Sequence, residues 1–151
     1  GSELIGNDPK FQTYKGKIDL VFTSPPYFAK EVYSDDPEQS CHKFTEFESW
    51  VTGFLKPTLE TAVSWLRKDR YLLWNIADAK FGSKLLPLED ESNKILESLG
   101  MKYIRTEKML LASAPGGNRV VDGKPSCKNS TKLNGIWRKY EPVFVWKKIM
   151  D

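Results

Sequence analysis

Hydrophobic positions along the chain gather into short apolar runs separated by amphipathic stretches. Ile18-Asp19-Leu20-Val21-Phe22-Thr23 is the first run. It is rich in strand formers and reads as a buried strand of the kind covered on both faces. It stops at Ser24-Pro25-Pro26, because proline has no N–H to give to a sheet ladder. Phe47, Trp50, Val51, Phe54, Leu55, Leu59, Ala62, Val63 and Leu66 recur at three- and four-residue steps. That spacing predicts an amphipathic helix, or two, since Pro57 falls inside the pattern, with Lys68-Asp69 closing it. Arg70 to Ile76 reads as a second buried strand. Leu88 to Leu99 reads as a further helix, with Leu88, Ile95, Leu96 and Leu99 inward and Gly100 as its stop. Met101 to Leu111 is a longer, more polar strand, and Tyr140 to Trp146 a last one around Val143-Phe144-Val145-Trp146. Between them, Ala112 to Lys139 is rich in Gly, Pro, Asn and Lys and reads as a loop. Residues 1–16 show no clean period, with Asn7-Asp8-Pro9 as a turn, and residues 28–46 read as a polar loop.

Strands alternating with helices imply βαβ units, so the expected class is α/β. About four strands are expected, flanked by helices. The last two have no helix between them and should pair antiparallel at one edge. The 151 residues are 40% hydrophobic and 28% charged, which fits a single domain over 1–151. No run of about 18 apolar residues spans a membrane, and no export signal opens the chain, so a cytoplasmic location is expected. The two cysteines, Cys41 and Cys127, are then free thiols. His42 beside Cys41 gives two candidate ligands where zinc needs three or four, so no metal is expected.

Charge changes the picture through its distribution. The net charge is +3, but residues 102–139 alone carry +7 and the remainder −4. A basic segment on an acidic body suggests a polyanion on one side of the molecule. Arg119, Lys124, Lys128, Lys132 and Arg138, within the 112–139 basic loop, are the candidate phosphate contacts.

The stretch that carries chemistry is Asp19 to Tyr27. Ser24-Pro25-Pro26-Tyr27 leaves the carboxyl end of a strand, where open α/β sheets bind ligands. The prolines stiffen the loop. The carbonyls of Ser24 and Pro25 and the Ser24 hydroxyl could accept two N–H bonds, and Tyr27 could offer a flat face. These parts suit one task, holding the exocyclic amine of a base. Acceptors that draw its hydrogens from the ring plane localise the nitrogen lone pair, which is otherwise delocalised. Positioning and preorganised electrostatics then suffice for catalysis. A stacked base must first be flipped out.

Thr23 to Tyr27 (TSPPY) after an apolar strand resembles motif IV of the amino-methyltransferases acting on DNA cytosine N4 or adenine N6. Ala62 to Asp78 and Lys139 to Val145 look like the following helix and strand and the last strand of that family. The resemblance covers most of residues 17–147. It implies a partial Rossmann-like methyltransferase sheet and methyl transfer from S-adenosylmethionine to DNA. The encoding genome would be bacterial or phage, and restriction-modification or self-protection the setting. Serine at the first tetrad position is commoner in the cytosine-N4 enzymes, which favours cytosine N4. Asn75 and Asp78, at the second strand's end, are the candidate cofactor contacts; Tyr33 and Ser34 could cover the base.

The family's glycine-rich cofactor turn has no counterpart. Gly116-Gly117, Gly6 and Gly16 do not follow a suitable strand. The expectation is therefore a catalytic-motif half, or fragment, that needs a missing N-terminal or separate-chain half to bind cofactor. Its catalytic strand would be an open edge, capped by that partner or by self-association. The competing expectation is a catalytically silent nucleic-acid-binding or interaction module.

Overall fold

The computed structural model describes residues 2–28, 35–112 and 120–151. β1 (Ile18–Thr23) ends where Ser24 and the prolines end its ladder. The long amphipathic stretch is one helical segment in three parts. α3 (Phe47–Trp50) runs into a π-helical turn (Val51–Leu55) and then α4 (Lys56–Trp65). Pro57 sits in the first turn of α4, where its missing N–H is tolerated. The wide turn ahead of it is closed by the Lys56 N–H donating to Val51 O.

β2 (Leu66–Asn75) begins four residues earlier than the apolar pattern suggests. Its polar start pairs irregularly with β1, around Asp69 at φ 65. A small hairpin of β3 (Ala79–Phe81) and β4 (Lys84–Leu86) follows, then α5 (Leu88–Ser98), β5 (Met101–Leu110) and the final β9 (Ile136–Lys148). Near the N-terminus, Asn7-Asp8-Pro9 starts a short helix, α1 (Pro9–Gln12), with Asp8 as its N-cap. A one-turn helix, α2 (Ser40–Lys43), interrupts the polar loop.

The sheet order is β1-β2-β9-β5. β1 and β2 run parallel, and β9 is antiparallel to both β2 and β5. The fold is mixed α/β, with the antiparallel pair at one edge as expected. β9 slots between β2 and β5, so β5 takes the rim.

Strand register divides the sheet into two faces. Val21, Leu72, Trp74, Phe144 and Trp146 share one face. They pack with Leu59, Val63, Leu88 and Leu96 of α4 and α5 into a single core. The opposite face carries Leu20, Phe22, Tyr71 and Leu73. There Leu20 is 54% and Phe22 60% exposed. The expectation that β1 is covered on both faces fails at Leu20 and Phe22, although Asn75, Val143 and Val145 on the same face of β2 and β9 are buried.

Part of the expected 112–139 loop is also strand. β6 (Val120–Val121) and β7 (Lys124–Pro125) form a hairpin about Asp122-Gly123. β8 (Ser130–Leu133) folds back on the start of β9 about Asn134-Gly135.

Candidate functional site

Thr23 is the last β1 residue paired with β2, opposite Trp74, so the tetrad starts at the carboxyl edge of two parallel strands. Ser24 is exposed, Pro25 buried and Pro26 half-buried. The next two residues pin the loop. Tyr27 Oη accepts a hydrogen bond from the Ala77 N–H at 2.9 Å, tying the end of β1 to the end of β2. The Phe28 ring sits edge-on to Phe47, Trp50 and Phe81 at 5.8, 6.0 and 5.9 Å between centroids. The prolines stiffen the segment from within, and these two contacts fix it from outside.

Tyr27 is 7% exposed and belongs to the core. Its first role is thus that of a strut, and most of the ring that the sequence suggested as a stacking face is already covered. Ser24 is the tetrad's solvent-facing member, and no hydrogen bond among the described residues occupies its hydroxyl.

Asn75 and Asp78 lie at the same edge, and the Asn75 amide nitrogen and both Asp78 carboxylate oxygens have partners within the chain. Asn75 is buried and its Nδ2 donates to Pro142 O at 3.0 Å. Asp78 Oδ1 accepts the Glu89 N–H at 3.0 Å, capping the start of α5. Glu89 Oε1 accepts the Asp78 N–H at 3.2 Å in return.

Lys128 completes this group. Its Nζ donates to Asp78 Oδ2 at 2.9 Å and Glu89 Oε2 at 3.1 Å. The bond to Asp78 above all holds the ammonium well above the usual lysine range, against the opposing pull of burial. Asn129 Nδ2 donates to Glu89 Oε1 at 2.9 Å. Lys128 thus clamps Asp78 to Glu89 from the surface, its own side chain 64% exposed. Lys124 and Lys132 are exposed and Arg138 is half-buried. Arg119, Tyr33, Ser34 and Gly116-Gly117 lie outside the described residues.

Phe28, Ala77, Glu89 and Asn129 were not legible as site residues. Only Phe28, as an aromatic directly after the tetrad, carried a local signal.

A cavity of about 800 Å³ lies at the other end of the sheet, between Lys15, Leu66 to Arg70 and Lys148. There Arg67 and Arg70 both bond Asp19 and hold its carboxyl below the usual range. Lys148 Nζ donates to Val63 O and Leu66 O at 3.0 and 2.8 Å. This cavity is remote from the tetrad. No group of three metal-ligating side chains is gathered among the described residues. No helix among them is long and apolar enough to cross a membrane.

Sheet, helices and loop position together define a methyltransferase-like α/β fold. Sequence comparison finds no matching family model and no matching curated protein. Three crystal structures of TTHA0409 from Thermus thermophilus, a proposed DNA modification methylase, resemble the chain. The selenomethionine form superposes with a TM-score of 0.58 at 15% identity, covering 99% of this chain and 50% of that one. The form complexed with S-adenosyl-L-methionine gives 0.58 at 18% identity, covering 99% and 53%. A further form gives 0.56 at 15%, covering 99% and 52%. The chain thus spans about half the length of the structures it resembles.

Proposed function

We propose that the chain is the base-holding half of an S-adenosylmethionine-dependent DNA amino-methyltransferase, with cytosine N4 the favoured target over adenine N6. The observation that carries this reading is the tetrad: Ser24 exposed at a carboxyl sheet edge, on a loop pinned by Tyr27 and Phe28. The likeness of the fold to TTHA0409, crystallised with S-adenosyl-L-methionine, supports it.

In this reading a flipped base presents its NH2 to Ser24 Oγ and to the carbonyls of Ser24 and Pro25. These three acceptors, of which two suffice, hold both N–H bonds out of the ring plane. The nitrogen lone pair is then directed along one line, with no reorganisation left to make at the moment of reaction. Tyr27 fixes the height of the loop against β2. The bound cofactor supplies an electrophilic methyl group. The Asn75 amide nitrogen and the Asp78 carboxylate already serve bonds within the chain, and the sequence has no glycine-rich turn after a strand to cradle that cofactor. We assign its binding to a complementary half that lies along the free edge of β1 and covers Leu20 and Phe22. Lys124, Lys132 and Arg138, together with Arg119, are assigned to DNA phosphates.

The test is co-expression with the product of the adjacent coding sequence, incubation with DNA and isotopically labelled cofactor, and mass spectrometry of the nucleosides. The reading predicts labelled N4-methylcytosine. Labelled N6-methyladenine would keep the enzyme class and overturn the base assignment. An unlabelled nucleoside pool would favour the silent binding module suggested by the engaged Asn75 and Asp78.

A further inference from the structure

β9 is longer than the sheet it completes. It pairs with β2 only from Val143 opposite Asn75 to Lys147 opposite Tyr71. Its first residues run on past the carboxyl end of β2, the edge from which the tetrad leaves. Residues 140–142 there remain paired with β5, and beyond them residues 136–139 pair with β8 in a two-stranded ribbon of residues 130–139. From Val143 to the start of β9 at Ile136 is seven residues, a reach of about 23 Å at strand rise. β9 lies two strands from β1, so the root of the ribbon is roughly 10 Å to the side of the tetrad.

The ribbon is stiff at its root. Tyr140 N donates to Asn129 O at 2.9 Å and Leu111 N to Lys139 O at 3.0 Å. Lys108 Nζ donates to Thr131 Oγ1 at 3.2 Å and lies 5.3 Å from the Tyr140 ring centroid. Lys128 and Asn129 clamp the approach to it, as described above. At the tip, Asn134 at φ 49 and Gly135 at φ 79 make the tight turn that suits a twisted ribbon. The residues flanking that turn are aliphatic and uncovered, Leu133 48% and Ile136 51% exposed. From Lys124 to Tyr140 the chain carries no carboxylate and, besides the Lys128 paired with Asp78 and Glu89, four cations, Lys124, Lys132, Arg138 and Lys139. Lys132, beside the tip, lies 5.9 Å from the Trp137 ring centroid.

An apolar tip on a cationic arm matches a polyanion with an apolar interior. Duplex DNA has that construction, with phosphates outside and stacked bases within. A two-stranded ribbon fits its major groove, and aliphatic side chains can wedge into a disturbed stack. We infer that the 130–139 ribbon probes duplex DNA, with Lys132 on the backbone and Leu133 and Ile136 filling the space that a flipped base vacates. This rests on the DNA reading above and names the element that serves it.

The test measures binding of the whole chain to two labelled 25-base-pair duplexes by fluorescence anisotropy, one intact and one with a single abasic site. Wild type is expected to prefer the abasic duplex by about tenfold. Leu133→Ala with Ile136→Ala should reduce that preference below about twofold, leaving affinity for the intact duplex and the melting temperature unchanged, since both side chains are already exposed. Lys132→Ala should weaken both duplexes equally and lower the salt slope by about one. Equal wild-type binding to the two duplexes, or a preference that survives the double substitution, overturns the wedge but leaves DNA binding standing. No binding to either duplex overturns the wedge and the DNA reading together.

Discussion

At Tyr27 one hydroxyl joins two strand ends, and that bond sets what the residue contributes. Tyr27→Phe leaves the part-buried Ala77 N–H without its acceptor. The expected cost is about 1–2 kcal/mol, read as a lower urea midpoint with unchanged slope. An unchanged midpoint would show that the strut carries no load. The sequence made the tyrosine visible beside two prolines, and so the candidate loop. It could not show the burial, because the partner lies fifty residues away in the chain and the covering rings come from other elements. Asp78 and Lys128 teach the same lesson. Each looked available as a lone polar residue, and each is satisfied by the other. Lys128 also has a pH signature. Its folded pKa is raised, chiefly by the hydrogen bond to Asp78, above the ordinary lysine value near 10.4. Its contribution is therefore complete below about pH 10 and is lost as pH rises through the raised folded value. The melting-temperature gap between wild type and Lys128→Met should stay flat from about pH 7 to 9 and narrow above about pH 10. A gap that already closes between neutrality and about pH 9 would contradict the clamp.

Among the elements, those with a strong period were legible and those defined by turns were not. β1 is found where the apolar run put it, and α5 ends within one residue of its expected bound. Asp122-Gly123 and Asn134-Gly135 are strong two-residue hairpin signals, yet the strands beside them are short and lysine-rich, with little alternation to read. The early start of β2 was hidden because its first residues are polar and lie on an irregular stretch. The π-helical turn before α4 has a consequence of its own. It brings Gly53 so close to Phe44 that an added Cβ would lie 2.2 Å from the ring. Gly53→Ala should therefore destabilise the fold by about 1–3 kcal/mol, measured by urea unfolding. A neutral substitution would mean that Phe44 swings away freely.

At the scale of the whole molecule, the decisive feature among the described residues is a sheet that ends at β1, with Leu20 and Phe22 uncovered beside that edge. An open strand edge beside exposed Leu20 and Phe22 is a pairing template. Alone in solution, the chain should self-associate through this surface. Sedimentation velocity should show concentration-dependent assembly that Leu20→Lys with Phe22→Lys abolishes. A wild-type monomer at every concentration would count against the surface as an interface. The central claim remains the amine-holding loop, and single-turnover methyl transfer by the chain together with its proposed cofactor-binding partner tests it most directly. Ser24→Ala should slow the transfer step by about 100-fold or more while leaving the dissociation constant for DNA unchanged. A Ser24→Ala protein that transfers methyl groups at the wild-type rate would contradict the account.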